Sequence, residues 1–198
     1  MIEPTALFGM VGGAVGAMGS VPYLRDTLRR VTVPHRGSWF IWAVLELVAL
    51  ASQRADGARW SLVPLAAQAL GTWLVLGLAL GLGSGGLSRV DLALTCLAGL
   101  GVAGWFLVDE PLVATGCAMA ADLVAVLMML PKTWRQPHSE TLSMFALASL
   151  GGVMTAASVG SLAVPLLVYP VYFFLVNAAV VGVIAYRRAA RSPGRASW

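Results

Sequence analysis

One acidic residue, Glu46, lies in the middle of an apolar stretch, with two tryptophans before it at helical spacing. Trp39, Trp42 and Glu46 fall at i, i+3 and i+7, and Gln53 continues the same helical face. A charged side chain inside a bilayer is costly unless it faces the interior of a helix bundle. This carboxyl beside two indoles is therefore predicted to hold a cation, a proton or a ring-bearing substrate. The alternative interpretation is a protonated carboxyl that hydrogen bonds to a neighbouring helix.

Asp122 is a second acid in the middle of an apolar stretch. Ala118, Ala121 and Ala125 flank it at helical spacing, so small neighbours leave space around its carboxyl group. Such a group could bind and release a proton within the membrane, which is a common role of intramembrane acids. The alternative is a structural hydrogen bond between two helices.

The last apolar stretch carries a third candidate cluster. Tyr169, Phe173 and Asn177 follow one another at i, i+4 and i+8, which places them on one face of a helix. An asparagine amide bonds well to hydroxyl and amide groups of a solute. The alternative is that both rings face lipid or pack in the protein core.

Composition indicates that these residues are positioned by membrane helices. Of the 198 residues, 59% are hydrophobic and only 11% are charged, against about 25% charged in ordinary soluble domains. A membrane-spanning helix needs about 20 apolar residues, so we predict one all-α membrane domain with seven transmembrane helices. The segments are about 5–23, 38–53, 60–82, 90–108, 112–130, 141–159 and 162–186, followed by a basic tail at 187–198.

The basic residues are unevenly divided between the two sides that seven spans create. All of them except Arg54 and Arg59 fall on one side, whereas Asp109 and Glu110 form an acidic loop on the other. Because cytoplasmic loops are enriched in Lys and Arg, we expect the N-terminus outside and the C-terminus in the cytoplasm, with the plasma membrane as the location. The formal charge of +4 is thus explained by loop charge, and no nucleic-acid partner is expected.

Two parts of the chain, residues 20–43 and 129–148, resemble each other. In each, an apolar helix ends near a proline, a basic loop follows, and a Pro-His pair precedes the next helix near a serine. Both copies point the same way in the chain, which predicts a parallel repeat of three helices on either side of a fourth. The matching residues are Pro22 and Pro131, Pro34-His35 and Pro137-His138, and Ser38 and Ser143.

This plan of 3+1+3 helices, with an outside N-terminus and prolines near the ends of helices 1 and 5, resembles the PQ-loop superfamily, which includes the SWEET sugar transporters. The resemblance covers nearly the whole chain at the level of architecture. The proline–glutamine dipeptide of that family reads Pro22-Tyr23 in one copy and Pro131-Lys132 in the other. The resemblance implies two parallel triple-helix bundles that are joined by a linker helix.

The resemblance also implies roles for particular residues. It implies proton coupling by Asp122, with Glu46 as a second candidate, and hinges at Pro22, Pro131, Gly151 and Gly152, since the family has prolines in helix 6 where this chain has the glycine pair. It places a substrate-binding asparagine in helix 7, where this chain has Asn177. The expected substrate-binding set is Asn177, Tyr169, Phe173, Gln68, Thr72, Trp73, Trp39 and Trp42.

The expected function is transport of a small polar solute, such as a sugar or an amino acid, by alternating access that is coupled to protons through an acid. The alternative is a membrane receptor of the same fold that binds without transport, and a membrane-embedded enzyme is a third reading. We expect no enzymatic activity, because the sequence contains no nucleophile elbow, phosphate-binding loop or zinc-binding His-Glu motif.

Partners and ligands follow from the same reading. The expected partners are the lipid bilayer and the solute, and self-association into a homo-oligomer stays open. No cofactor and no metal site are predicted. His35 and His138 are interpreted as solvated loop residues because neither is surrounded by a set of Cys or carboxylate residues that could complete a metal site.

Overall fold

The computed structural model describes residues 4–55, 62–107 and 110–191, and these are almost entirely helical. The described ranges contain no strand, only an isolated bridge between His35 and Ser84. The predicted all-α class is confirmed. The helices are α1 Pro4–Met18, α2 Ser20–Leu28, α3 Arg36–Ala55, α4 Leu62–Leu82, α5 Arg89–Leu107, α6 Pro111–Arg135, α7 Leu142–Ser158 and α8 Val164–Arg191, with a short 3₁₀ helix Pro137–Ser139 before α7.

Each predicted apolar segment coincides with helix, and the first is divided at Gly19 into α1 and α2. Residues 60, 61, 108 and 192–198 of the predicted segments and tail lie outside the described residues. Four helical stretches of the described chain are long and apolar enough to cross a membrane, and the apolar helix α7 is shorter. These lengths are compatible with an integral membrane protein. The four stretches are Ala6–Leu28, Leu65–Leu82, Leu112–Arg135 and Val164–Arg191.

The expectation that Pro22 and Pro131 end their helices is wrong. Pro22 is the third residue of α2, which continues to Leu28, and Pro131 lies inside α6, which continues to Arg135. A proline removes one backbone donor and crowds the carbonyl of the preceding turn. The first turn of α2 tolerates this because its N–H groups have no partner within the helix. In α6 the helix accommodates Pro131 one turn before its end.

The small residues of the first helix allow close helix packing, as their spacing predicts. Helix α1 packs against α7, where a Cβ atom added to Gly12 would lie 2.8 Å from the Met154 Cβ atom. A Cβ atom added to Gly151 would lie 3.0 Å from the Gly12 carbonyl oxygen. Helix α3 packs against both α4 and α6, α8 packs against α6 and α7, and α5 packs against α6 and α3.

Three loops meet at one end of the helix bundle and are joined by backbone hydrogen bonds. The Val33 N–H donates to the Ser139 carbonyl over 3.0 Å, and the Ser84 N–H donates to the Pro34 carbonyl over 2.9 Å. The Thr32 and Thr141 hydroxyl groups lie 2.6 Å apart. We refer to residues 32–36, 83–86 and 139–141 as the loop junction. It joins the loops before α3 and α7, which are the two copies of the repeated sequence.

Glu140 is the buried acid of the loop junction. Its carboxylate forms an ion pair with Lys132 of α6 and accepts a hydrogen bond from the Tyr23 hydroxyl over 2.9 Å. Arg188 of α8 donates to the Glu140 carbonyl over 2.6 Å. Burial raises the pKa of the Glu140 carboxyl, while Lys132 acts in the opposite direction. The junction therefore contains a buried charge pair with hydrogen bonds to several helices.

His35 is buried, so its interpretation as a solvated residue is wrong, whereas His138 is exposed as expected. The His35 Nδ1 atom accepts a hydrogen bond from the Ser38 N–H over 3.3 Å, which caps the first turn of α3. Its Nε2 atom lies 3.7 Å from Asp91. Burial lowers the pKa of His35 despite the attraction of Asp91 for a proton.

Because the pKa of His35 is lower in the folded chain, folding favours the neutral ring. The ordinary pKa is about 6.5, so this stabilisation is fully present above that pH and is lost as the pH falls below it. We expect the thermal unfolding midpoint in detergent to fall on acidification. His35→Asn keeps an acceptor for the Ser38 N–H and should flatten this pH dependence. His138→Asn is the control and should leave it unchanged; equal slopes for wild type and both variants would contradict the prediction.

Gly152 is packed against the backbone of α8. An added Cβ atom would lie 2.8 Å from the Phe174 nitrogen and 3.1 Å from the Pro170 oxygen, so Gly152→Ala requires α7 and α8 to separate. We expect a loss of about 1–3 kcal/mol in the free energy of unfolding, typical of overpacking. Gly182→Ala is the control, because no atom lies within 4 Å of the added carbon. It should leave the unfolding midpoint equal or raise it, since alanine favours helix. An unchanged midpoint for Gly152→Ala would contradict the close packing.

Candidate functional site

A cavity of about 480 Å³ lies among the helices, within the range of about 300–1,000 Å³ typical of small-molecule sites. Its walls come from α1 and α2, α3, α4, α6, α7 and α8. It brings together residues that are far apart in the sequence, including the acids Glu46 and Asp122. The predicted substrate-binding and proton-coupling residues that line it are Trp39, Trp42, Glu46, Gln68, Thr72, Asp122, Tyr169, Phe173 and Asn177.

Trp73 is the member of the predicted substrate-binding set that the cavity does not include. Its side chain is 44% exposed on the outer surface of α4. The reason is geometric: successive helical residues point about 100° apart, so when Thr72 faces the cavity its neighbour faces away. Trp73 is therefore removed from the candidate site. The side chain of Gln53, predicted on the Glu46 face, lies outside the described residues.

Glu46 projects from α3 into the cavity and has one unpaired oxygen. The Gln68 side-chain amide donates to the Glu46 Oε1 atom over 2.6 Å. The Glu46 Oε2 atom is buried and has no hydrogen-bond partner among the described residues. A buried polar atom without a partner costs free energy. This atom is thus a place in the cavity where a donor or a cation would be favourable.

Asp122 has a more complete set of partners. The Tyr172 hydroxyl donates to the Asp122 Oδ2 atom over 2.7 Å, and it lies 3.1 Å from the Met119 carbonyl oxygen. Neither Asp122 oxygen is among the described buried atoms that lack a hydrogen-bond partner. Sequence reasoning missed Tyr172, although a tyrosine in an apolar helix usually needs a partner for its hydroxyl when it is buried. Tyr172 holds Asp122 of α6 to α8.

Aromatic rings form two pairs in the cavity wall. Trp39 and Trp42 of α3 meet edge to face, with ring centroids 5.2 Å apart and planes at 88°. Tyr169 and Phe173 of α8 are stacked, with centroids 6.0 Å apart and planes at 22°. Asn177 lies one turn further along α8, and its amide donates to the Phe173 carbonyl over 2.8 Å.

Two of the four predicted hinge residues line the cavity, and two do not. Gly151 and Gly152 of α7 line the cavity, whereas Pro22 and Pro131 do not. Sequence reasoning missed Pro170, which lies inside α8, is buried and lines the cavity. A proline within a helix leaves the carbonyl one turn earlier without its usual donor. Pro170 therefore marks a weak point of α8 beside Gly152.

The charge of the cavity is one-sided. Its described lining contains the two carboxyl groups of Glu46 and Asp122 but no Lys, Arg or His side chain. The described residues also contain no group of three or more His, Cys, Asp or Glu that could hold a metal ion. Comparison of the chain with protein-family models, with curated proteins and with solved structures finds no match. The cavity and the helix arrangement are thus the observations that bear on function.

Proposed function

We propose that the chain spans the membrane seven times in the 3+1+3 plan. The helix contacts support this. In the first half α4 contacts α1, α2 and α3, and in the second half α8 contacts α6 and α7. Between the halves α1 contacts α7, and α6 contacts α3. In the repeat, α1 and α2 together correspond to α6, α3 corresponds to α7, and α4 corresponds to α8. Exchanging these partners turns each of the contacts above into another one, as a twofold repeat requires.

The proposed function is transport of a small polar solute by alternating access, with the two halves moving around a central site. One observation supports it most: both halves line one cavity that contains two buried acids and polar side chains, and the loop junction joins the halves at one end. Transporters of this kind bind solute between their repeats near the middle of the membrane. The proposed location is the plasma membrane, with coupling to protons through Asp122.

The experiment begins with a thermal-shift screen of the purified protein against sugars, amino acids and nucleosides, because a bound solute raises the unfolding midpoint. The radiolabelled solute with the largest shift is then offered to proteoliposomes. Transport predicts flux across the bilayer that protein-free vesicles do not show. Binding without flux would reject transport and support a receptor of the same fold.

The seven-span plan also predicts where the termini lie. A reporter fused after residue 198 should be active only in the cytoplasm, and a tag before residue 1 should be accessible from outside intact cells, because the basic loops favour the cytoplasmic side. A tag on the exposed loop end at Glu110 provides an external control. Detection of both termini on the same side would rule out seven spans.

A further inference from the structure

We propose that the cavity binds a small organic ammonium ion, with its positive charge at the Glu46 carboxylate and its alkyl groups against the tryptophan and Tyr169–Phe173 ring pairs. This inference deepens the proposed function, on which it rests, by naming the substrate class. It stands on the unpaired Glu46 Oε2 atom, the aromatic wall and the acidic lining.

The first step is electrostatic. Glu46 and Asp122 line the same cavity, so their carboxylates would repel each other when both are ionised. The described lining holds no basic side chain to offset this repulsion. The partners of Glu46 and Asp122 in the cavity are neutral donors, from Gln68 and Tyr172. Buried charge needs an opposite charge or a proton. A cationic ligand supplies that charge, whereas an anionic one would add to the repulsion.

The second step is the position of the unpaired oxygen atom. Asp122 accepts a hydrogen bond from Tyr172, whereas Glu46 keeps one buried oxygen without a partner among the described residues. The two tryptophans lie on the same helix as Glu46, at i−7 and i−4. Both therefore share the face from which its carboxyl group enters the cavity. A ligand cation at the Glu46 Oε2 atom would lie in a region that indole rings also border.

The third step is the chemistry of the rings. The faces of Trp, Tyr and Phe rings attract cations, and aromatic walls are used to recognise quaternary ammonium groups. An inorganic cation would instead prefer several oxygen ligands. The lining has aromatic and aliphatic surface around its oxygen atoms, with rings from Trp39, Trp42, Tyr169 and Phe173. The volume of about 480 Å³ is large enough for a ligand of several carbon atoms. An organic ammonium ion satisfies both the acid and the rings.

The test compares a cation with a neutral molecule of the same shape. Choline and 3,3-dimethyl-1-butanol differ by nitrogen against carbon in one position, and benzyltrimethylammonium serves as a second cation. Binding is measured by isothermal titration with purified protein in a maltoside detergent without phosphocholine lipid, so that the probe is the only ammonium present. We expect choline to bind about tenfold or more tightly than its neutral analogue. Equal affinities, or failure of both cations to bind, would overturn the proposal.

Variants assign the charge selectivity to its residue. Glu46→Gln keeps a side-chain oxygen that can accept the hydrogen bond from Gln68, but it removes the charge, so the preference for choline should be lost. Glu110→Gln changes an exposed acid outside the cavity and should keep the preference. A preference retained by Glu46→Gln would reject the placement of the charge. Wild-type protein gives a second measurement in case that variant does not fold. Choline affinity should fall as the pH is lowered, because protons compete for the carboxyl group, and a pH-independent affinity would also reject the placement.

The titratable groups that line the described cavity around the Glu46 carboxyl group come from three helices. Glu46 comes from α3, Asp122 from α6, and Tyr169 from α8, where Tyr172 also contacts Asp122; the lining residues of α1, α2, α4 and α7 are not titratable. Flux in proteoliposomes separates the two proposals. Choline binding without flux would reject transport and support the ligand class. Flux of a sugar without any ammonium binding would support transport and reject the ligand class.

Discussion

Asp122→Asn should abolish solute accumulation that is driven by a pH gradient while exchange of solute across the membrane continues. Asparagine keeps the shape of the side chain and its bond to Tyr172, but it cannot take up or release a proton. If one proton moves per solute, a gradient of one pH unit can sustain about tenfold accumulation. The variant should therefore show no accumulation above the external concentration, measured in proteoliposomes with the solute that the thermal-shift screen identifies.

A control variant and two contrary outcomes distinguish a proton-coupling role of Asp122 from a role in binding or folding. Glu110→Gln removes an exposed acid outside the cavity and should accumulate solute as the wild type does. Full pH-driven accumulation by Asp122→Asn would reject the coupling role and leave Glu46 as the acid to test. Loss of exchange together with accumulation would show that Asp122 is needed for binding or folding and not specifically for coupling.

The second large effect is expected at the loop junction. Glu140→Gln leaves the Lys132 ammonium group, whose side chain is 12% exposed, without the carboxylate that pairs with it. Removing one partner of a buried ion pair costs about 3–5 kcal/mol because the other charge stays buried and uncompensated. The free energy of unfolding in mixed detergent should fall by about this amount.

A double variant tests whether the unpaired charge causes the loss. Lys132→Met combined with Glu140→Leu removes both charges, and apolar replacement of a whole buried pair is often neutral or stabilising. The double variant should therefore be more stable than Glu140→Gln alone. Glu110→Gln is again the matched control and should unfold as the wild type does. If Glu140→Gln were as stable as the wild type, the ion pair would contribute nothing to the fold.

The positions of the helices could be predicted from the sequence because hydropathy and length reflect the bilayer directly. The faces of α3 and α8 were also predictable, because a spacing of three, four or seven residues fixes one side of a helix. It placed Trp39 and Glu46 on one face of α3, and Tyr169 and Asn177 on one face of α8. The error at Trp73 came from treating sequence neighbours as spatial neighbours. Adjacent helical residues diverge by about 100°.

Contacts between distant helices were not predictable from one sequence. Tyr172 finds Asp122 because α8 packs on α6, and nothing in the local pattern of either helix records that pairing. His35 was misjudged for the same reason, since the loop that buries it includes Ser84, far along the chain. Local patterns describe one helix at a time, whereas partners depend on which helices pack together.

The loop junction has a thermodynamic consequence for the two faces of the protein. Trp39 in the cavity wall donates to the Tyr23 hydroxyl over 3.2 Å, which in turn bonds to Glu140, so the junction connects to the cavity through hydrogen bonds. Opening the bundle at this end would break the junction bonds, each with a net contribution of about 1 kcal/mol. In the proposed transport cycle, we therefore expect the conformation with this end shut to be favoured, by an excess of a hundredfold or so for about 3 kcal/mol. A solute arriving at the junction face would meet few competent molecules, and its apparent affinity there would be weaker by the same factor than at the opposite face.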